Sequence, residues 1–236
     1  MTRAPGSSAD AVTGREVLAF DLYGTLVDPI AISRELGQLI GDAKGREVAG
    51  HWRLKQLEYS FRLTSMGRYE DFRWVTSRAL DFALAAAGAP LAAGQAERLI
   101  ELYDHLQPFP DAVPALQALG GMGFDLAVLS NGTPAMIGNC LRNSGLAGYF
   151  GERISVDEVG VFKPAPEVYR HAAERLSRPI GQLRLVTCNA FDCVGAGAAG
   201  MRTAWVNRPG GPYDTIGSQP DVTVAALDRL PAALAG

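Results

Sequence analysis

Cysteine and histidine are scarce, with three of each in 236 residues. Cys140, Cys188 and Cys193 show no metal-ligand spacing, and an odd count does not suit a disulfide framework, so reduced thiols in a cytoplasmic protein are expected. His51, His105 and His171 stand singly in helical stretches and read as surface or packing residues. A surplus of positive charge is also missing. The net charge of −3 argues against a dedicated nucleic-acid binder. No apolar run is long enough to cross a bilayer, which argues against a membrane partner. Met1 to Gly14 is rich in Ala, Ser and Gly but has no apolar signal core, and reads as a disordered tail rather than a targeting signal. What is present is apolar: 47% of the residues, enough for a sizeable core in one domain plus an insertion.

The stretch from Val17 to Asp28 organises the rest. Val17 to Phe20 reads as a buried parallel strand that ends on Asp21, with a Gly24-Thr25 turn close behind. Ligands of open α/β sheets bind beyond the carboxyl ends of the strands, so Asp21 falls where chemistry is expected. On its own, such an aspartate reads more readily as a cap for the turn that follows.

From Pro29 onward the pattern is helical. Pro29 suits the first turn of a helix running towards Ile40. A second helix is expected over Glu47 to Leu63, with Leu54, Leu57 and Phe61 on its buried stripe. Phe72, Val75, Ala79, Phe82 and Ala86 mark a third, closed by Gly88 and Pro90, and Ala96, Leu99, Ile100 and Tyr103 a fourth. From Asp111 helices and short apolar strands alternate. Asp111 can cap a helix that Gly120-Gly121 stops. Strands follow at Leu126–Leu129, about Ile154–Val156, Leu185–Thr187 and Thr203–Val206, with helices at Pro134–Ser144, Pro166–Leu176 and Val194–Gly200. The expected class is α/β, a parallel sheet covered on both faces. The core would comprise residues 15–28 and 108–236, with 29–107 as an all-helical insertion.

Several strand-end segments share a pattern with Asp21. Asp21-Leu22-Tyr23-Gly24-Thr25-Leu26 resembles the first motif of the haloacid dehalogenase superfamily, whose aspartate is a nucleophile. Leu129-Ser130-Asn131-Gly132, Lys163-Pro164 and Asn189-Ala190-Phe191-Asp192 resemble its later motifs, in order. Trp52-Arg53-Leu54-Lys55-Gln56-Leu57-Glu58-Tyr59 looks like the cap helix of the L-2-haloacid dehalogenase branch. The resemblance implies a Rossmann-like core with an inserted helical cap domain, a homodimer, no cofactor and no metal.

It also implies roles. Asp21 would be the nucleophile, with Thr25 and Lys163 fixing and charge-balancing it. Ser130 would hold the substrate carboxylate, and Arg53 and Asn131 the departing halide. Asp192, with Asn189 and Thr187, would position water on the ester. Tyr23, Leu57, Phe72 and Phe191 would wall the alkyl group, and Tyr169 would support the site. Blander readings exist for each: turn formation for Ser130-Asn131-Gly132, a solvated charge for Lys163, helix packing for Tyr169, a surface pair with Glu58 for Arg53. Leu54 departs from the polar residue the resemblance leads one to expect there.

Two positions separate dehalogenation from the superfamily's magnesium phosphatases. Those enzymes place an acid four residues before the equivalent of Asp192 and commonly another two residues after the nucleophile. Here the positions hold Cys188 and Tyr23. Losing a hard oxygen ligand weakens a magnesium site. Losing a general acid for an alkoxide leaving group costs roughly 10²–10⁴-fold. A halide needs neither. The expected reaction is therefore hydrolysis of short L-2-haloalkanoic acids to D-2-hydroxy acids, with a metal-dependent phosphatase or a catalytically silent relative as the alternatives. Gly195-Ala196-Gly197-Ala198-Ala199-Gly200 fits the G-x-G-x-x-G dinucleotide fingerprint, but Asn189 to Val194 separate it from the strand. These glycines read instead as close packing of a helix on the sheet.

Overall fold

A computed structural model describes residues 16–29 and 32–235, so the disordered tail expected over residues 1–14 lies outside the described residues. Six parallel strands form one sheet in the order β3-β2-β1-β4-β5-β6. They are β1 (Val17–Phe20), β2 (Asp125–Ser130), β3 (Glu152–Ser155), β4 (Leu183–Thr187), β5 (Arg202–Val206) and β6 (Val222–Val224). The central strand β1 is buried on both faces, as its unbroken apolar run requires. Phe20 lies level with Val128 of β2 and Val186 of β4. The next residue of each strand therefore begins a common carboxyl edge, and the Asp21 N–H closes it by donating to the Val186 carbonyl at 3.0 Å.

The helices are α1 (Ile32–Ile40), α2 (Asp42–Ser65), α3 (Phe72–Ala86), α4 (Gln95–Glu101), α5 (Ala112–Gly121), α6 (Pro134–Asn143), α7 (Pro166–Arg175), α8 (Ala190–Ala199) and α9 (Leu230–Leu234). Helices α1 to α4 all follow β1 and precede α5, and none of the sheet strands interrupts them. The third helix begins on an Asp71 side chain that accepts the Trp74 N–H at 2.7 Å.

Several sequence expectations need correction. The second helix starts earlier than Glu47, and its buried stripe is Val48, Trp52, Gln56, Ser60 and Leu63. Leu54 is instead 65% exposed, and Leu57 and Phe61 are half-buried. The reason is that α2 serves two faces. Gln56 is fully buried because Tyr103 donates to its Oε1 at 3.0 Å while its Nε2 donates to Thr76 Oγ1 at 2.9 Å. In α3 it is Leu80 and Ala83, not Phe82 and Ala86, that continue the buried face.

Asp111 sits where a cap belongs but makes no cap bond. Arg208 claims its carboxylate instead, at 2.8 and 2.9 Å, and the Leu227 N–H adds a third contact at 2.8 Å. Helix α5 also runs through Gly121, and the left-handed residue that ends it is Gly123 at φ 80°. Helix α8 opens at Ala190, earlier than expected, so its glycines fall inside and at the end of the helix. Gly195 faces not the sheet but the Pro164 loop, since a Cβ there would lie 2.4 Å from Pro164 Cβ and 2.8 Å from the Tyr169 hydroxyl. The edge strand β6 was not expected, because three residues are too few for a periodicity to register.

Candidate active site

The carboxyl edge of the sheet gathers Asp21, Thr187 and the segments after β2 and β4. Asp21 is 7% exposed, and its Oδ2 accepts three hydrogen bonds: from Thr25 Oγ1 at 2.9 Å, Asn189 Nδ2 at 2.9 Å and Thr187 Oγ1 at 3.3 Å. Its Oδ1 faces the Lys163 ammonium at 3.3 Å. Two further bonds fix the donors. The Cys188 N–H donates to Thr25 Oγ1 at 2.9 Å, and the Asn189 N–H to Thr187 Oγ1 at 3.1 Å. The result is a carboxylate with one oxygen immobilised and the other paired to a cation.

Lys163 joins two acids. Its Nζ lies 2.9 Å from Asp192 Oδ2 as well as 3.3 Å from Asp21 Oδ1, and the residue is 2% exposed. Asn131 Oδ1 accepts the Lys163 backbone N–H at 3.0 Å, so the segment after β2 holds the lysine in place. The Tyr169 hydroxyl donates to Asp192 Oδ1 at 2.7 Å. Burial alone would pull the Lys163 ammonium down, but Asp192 and Asp21 outweigh it and hold the group above the ordinary lysine value. Burial, reinforced by Asp21, pushes the Asp192 carboxyl up, against the pull of Lys163 and the Tyr169 bond. Burial and the nearby Asp192 raise Tyr169 well above an ordinary tyrosine, so it stays a neutral donor.

The space between these groups is small. A cavity of about 20 Å³, room for about one water-sized group, is lined by Asp21, Lys163, Asn131, Asn189 and Asp192 on the sheet side. Arg53 and Leu57 of α2 and Phe72 of α3 close it from the insertion, while Tyr23 and Phe191 complete the walls. Arg53 donates from Nη2 to Asn189 Oδ1 at 3.3 Å, and Glu58 pairs with Lys55 and Arg62 instead.

Four expected site residues stand behind this lining. Thr25, Thr187 and Tyr169 reach the acids without facing the cavity. Ser130 is fully buried and accepts the Gly132 N–H at 3.1 Å, which makes it a brace for its own turn. Tyr103 was missed. Its ring meets both Tyr23 and Trp52 edge-on at 5.6 Å, so it backs the cavity wall, and its place at helical spacing after Leu99 marked it only as core.

A family model described as haloacid dehalogenase-like hydrolase matches residues 16–183. The chain belongs to this family. It is 39% identical over 213 residues to (S)-2-haloacid dehalogenase 1 of Pseudomonas sp. (strain CBS-3), covering 90% of this chain and 93% of that one. A solved L-2-haloacid dehalogenase superposes with a TM-score of 0.90 at 32% identity, covering 95% and 100% of the two chains. The L-2-haloacid dehalogenase of Xanthobacter autotrophicus, solved with chloropropionic acid covalently bound, gives a TM-score of 0.87 at 32% identity over 94% and 99%. Within a haloacid dehalogenase-like fold, the thiol at Cys188 is notable. Burial and Asp21 push it up to about 11, so this position offers no anionic ligand near neutrality.

Proposed function

We propose that this chain hydrolyses short L-2-haloalkanoic acids to D-2-hydroxy acids through an ester on Asp21. The observation that carries the reading is the asymmetry of that carboxylate. Three donors hold Oδ2, whereas among the described residues Oδ1 meets the Lys163 ammonium alone. Oδ1 is thus the oxygen with lone pairs to spend. It attacks C2 from the side opposite the halogen; the C–O bond forms as the carbon–halogen bond breaks, with inversion. Arg53 and Asn131 stabilise the departing halide, and Tyr23, Leu57, Phe72 and Phe191 exclude water around it.

Water then attacks the Asp21 carbonyl carbon. Asp192 accepts its proton, a task that suits a carboxyl whose basicity burial has increased, and returns it to the product oxygen as the acyl C–O bond of the ester breaks and the 2-hydroxy acid leaves. Lys163 and Asn189 hold the geometry, while Thr25 and Thr187 keep Oδ2 fixed through both steps. Ser130 acts on the substrate carboxylate through the Gly132 turn it braces. No metal or cofactor enters this route. Cys188 and Tyr23 stand where the phosphatase alternative needs acids, so activity should persist in excess EDTA; restoration by magnesium, or faster turnover of phosphate esters, would favour that alternative.

The same reading makes residues 29–107 a cap over a core of residues 15–28 and 108–236, closing through Arg53 and Phe72. A homodimer is part of it, supported by the exposed Trp74 and Phe82 on the outer side of α3. So is a cytoplasmic location, which three free thiols suit.

The origin of the product's new oxygen tests the mechanism. In a single turnover in ¹⁸O-water with enzyme in excess, covalent catalysis yields unlabelled 2-hydroxy acid and ¹⁸O in the peptide containing Asp21. Labelled hydroxy acid with an unlabelled peptide would make Asp21 a general base and overturn the ester.

A further inference from the structure

The catalytic cavity shares one wall with a second, much larger space. A groove of about 520 Å³ lies against α1 and α2, lined by Pro29, Ile32, Ala49, Leu54 and Tyr103. Arg53 lines both the groove and the cavity. Its guanidinium reaches Asn189 inside the site, so the side chain separates the two spaces with its own length. Long arginine side chains present apolar methylenes beside a polar tip, and the groove takes the apolar part.

We propose that this groove receives the alkyl tail of medium-chain 2-haloalkanoic acids, while the carboxylate and halogen sit at Asp21. The inference rests on the dehalogenase reading and extends its substrate class. The size contrast supports it. The cavity as closed measures about 20 Å³, while the groove that meets it at Arg53 falls within the ordinary size range of small-molecule sites. A tail that leaves C2 along the Arg53 stem enters a space lined largely by apolar side chains. Leu54 contributes to the same surface: although 65% exposed, it turns towards this groove and not the cavity.

Gly50 provides the test. It lines the groove, its backbone is not in the left-handed region, and a Cβ built there meets nothing within 4 Å. Leucine at this helical position therefore starts from an unobstructed Cβ on the groove wall and raises helix propensity. The wild-type chain, Gly50→Leu and Leu54→Asn are compared by halide release from (S)-2-bromopropionate and (S)-2-bromooctanoate. The wild type should turn over both. Gly50→Leu should lower kcat/KM on the octanoate by about 10-fold or more, the discrimination lost methylene contacts produce, and change the propionate by less than about 2-fold. Leu54→Asn should shift the pair in the same direction.

Calorimetric binding of unhalogenated octanoate gives a readout independent of turnover, and the wild type should bind it more tightly than Gly50→Leu. Equal effects of the substitution on both substrates, or equal octanoate binding, would overturn the groove assignment. So would a substitution that halves the solution mass and leaves the chain-length series unchanged, because the occupant would then be a second copy of the chain. Failure of the wild type on 2-bromopropionate itself would instead count against the dehalogenase reading, with octanoate binding still deciding the groove.

Discussion

The sheet edge and the helical insertion both bury polar side chains, but of different kinds. At the edge, beside neutral Thr25, Ser130 and Thr187, the buried groups include charges: Asp21, Lys163 and Asp192, none more than 7% exposed. In the insertion they are neutral: Gln56, Ser60 and Thr76, with the Trp52 indole donating to the Thr76 carbonyl at 2.8 Å. Neutral hydrogen bonds between α2, α3 and Tyr103 fix how the helices sit against each other at little net cost. Buried charges return less. A hydrophobic replacement of similar volume is often as stable, so a buried triad is weak evidence for a purely structural role. On the proposed reading, this contrast gives chemistry to the edge and positioning to the insertion.

Lys163→Met should have the largest effect. It leaves Asp21 and Asp192 facing one another without their cation, and breaking a buried pair this way costs about 3–5 kcal/mol. Urea unfolding should report that loss near neutral pH, and activity should disappear. In the wild type the folded lysine value is raised, so its stabilisation is complete below the unfolded value of about 10.4 and is lost only as pH rises through the higher folded value. Asp192 shifts upward too, so activity should fall on acidification at a pH above the ordinary aspartate value of about 3.9. In Lys163→Met, mild acid should partly restore stability by protonating one carboxyl. If the variant unfolds at the wild-type urea concentration, Lys163 is not what holds the two carboxyls together in the fold.

The edge was legible in the sequence because its residues lie at strand ends. An apolar run followed by Asp21, Ser130-Asn131 or Thr187 fixes both the strand and the face on which the next side chain emerges. Lys163 was legible only through resemblance, since nothing local tells a buried lysine from a solvated one. The insertion yielded its helices but not their faces. Gln56 and Ser60 are polar, and Leu54 and Phe61 apolar, so periodicity chose the wrong stripe of α2; the compensating partners, Thr76 and Tyr103, lie 20 and 47 residues away. Asp111 failed similarly, because its Arg208 partner is distant in sequence.

Arg53→Ala is next in size and tests where the insertion touches the chemistry. Removing a donor to charge developing in the transition state typically costs about 2.7–4 kcal/mol. The kcat/KM on 2-chloropropionate should fall accordingly, about 10²–10³-fold. Stability should change by no more than about 1 kcal/mol, since one bond of 3.3 Å to Asn189 is lost from a half-buried residue. Near-wild-type turnover would confine all the chemistry to the sheet edge.

Gln56→Leu is the smallest and sharpest test. The substitution puts an apolar side chain of similar reach in place of the amide, removing the acceptor of the Tyr103 hydroxyl and the donor to Thr76 Oγ1. Thr76 keeps a partner, because its hydroxyl donates to the Phe72 carbonyl at 2.6 Å. The Tyr103 hydroxyl loses the acceptor it uses in the fold, and stranding such a buried donor costs about 1–3 kcal/mol. Thermal unfolding should register that loss, while kcat per folded molecule should stay close to wild type. The coupling to watch runs through aromatic rings: Tyr103 packs on Tyr23, and Tyr23 walls the cavity. A fall in kcat larger than the stability change would mean that the neutral network tunes the catalytic wall as well as the helix register. Rescue by Gln56→Glu, which restores an acceptor for Tyr103, would then locate the effect at that hydroxyl.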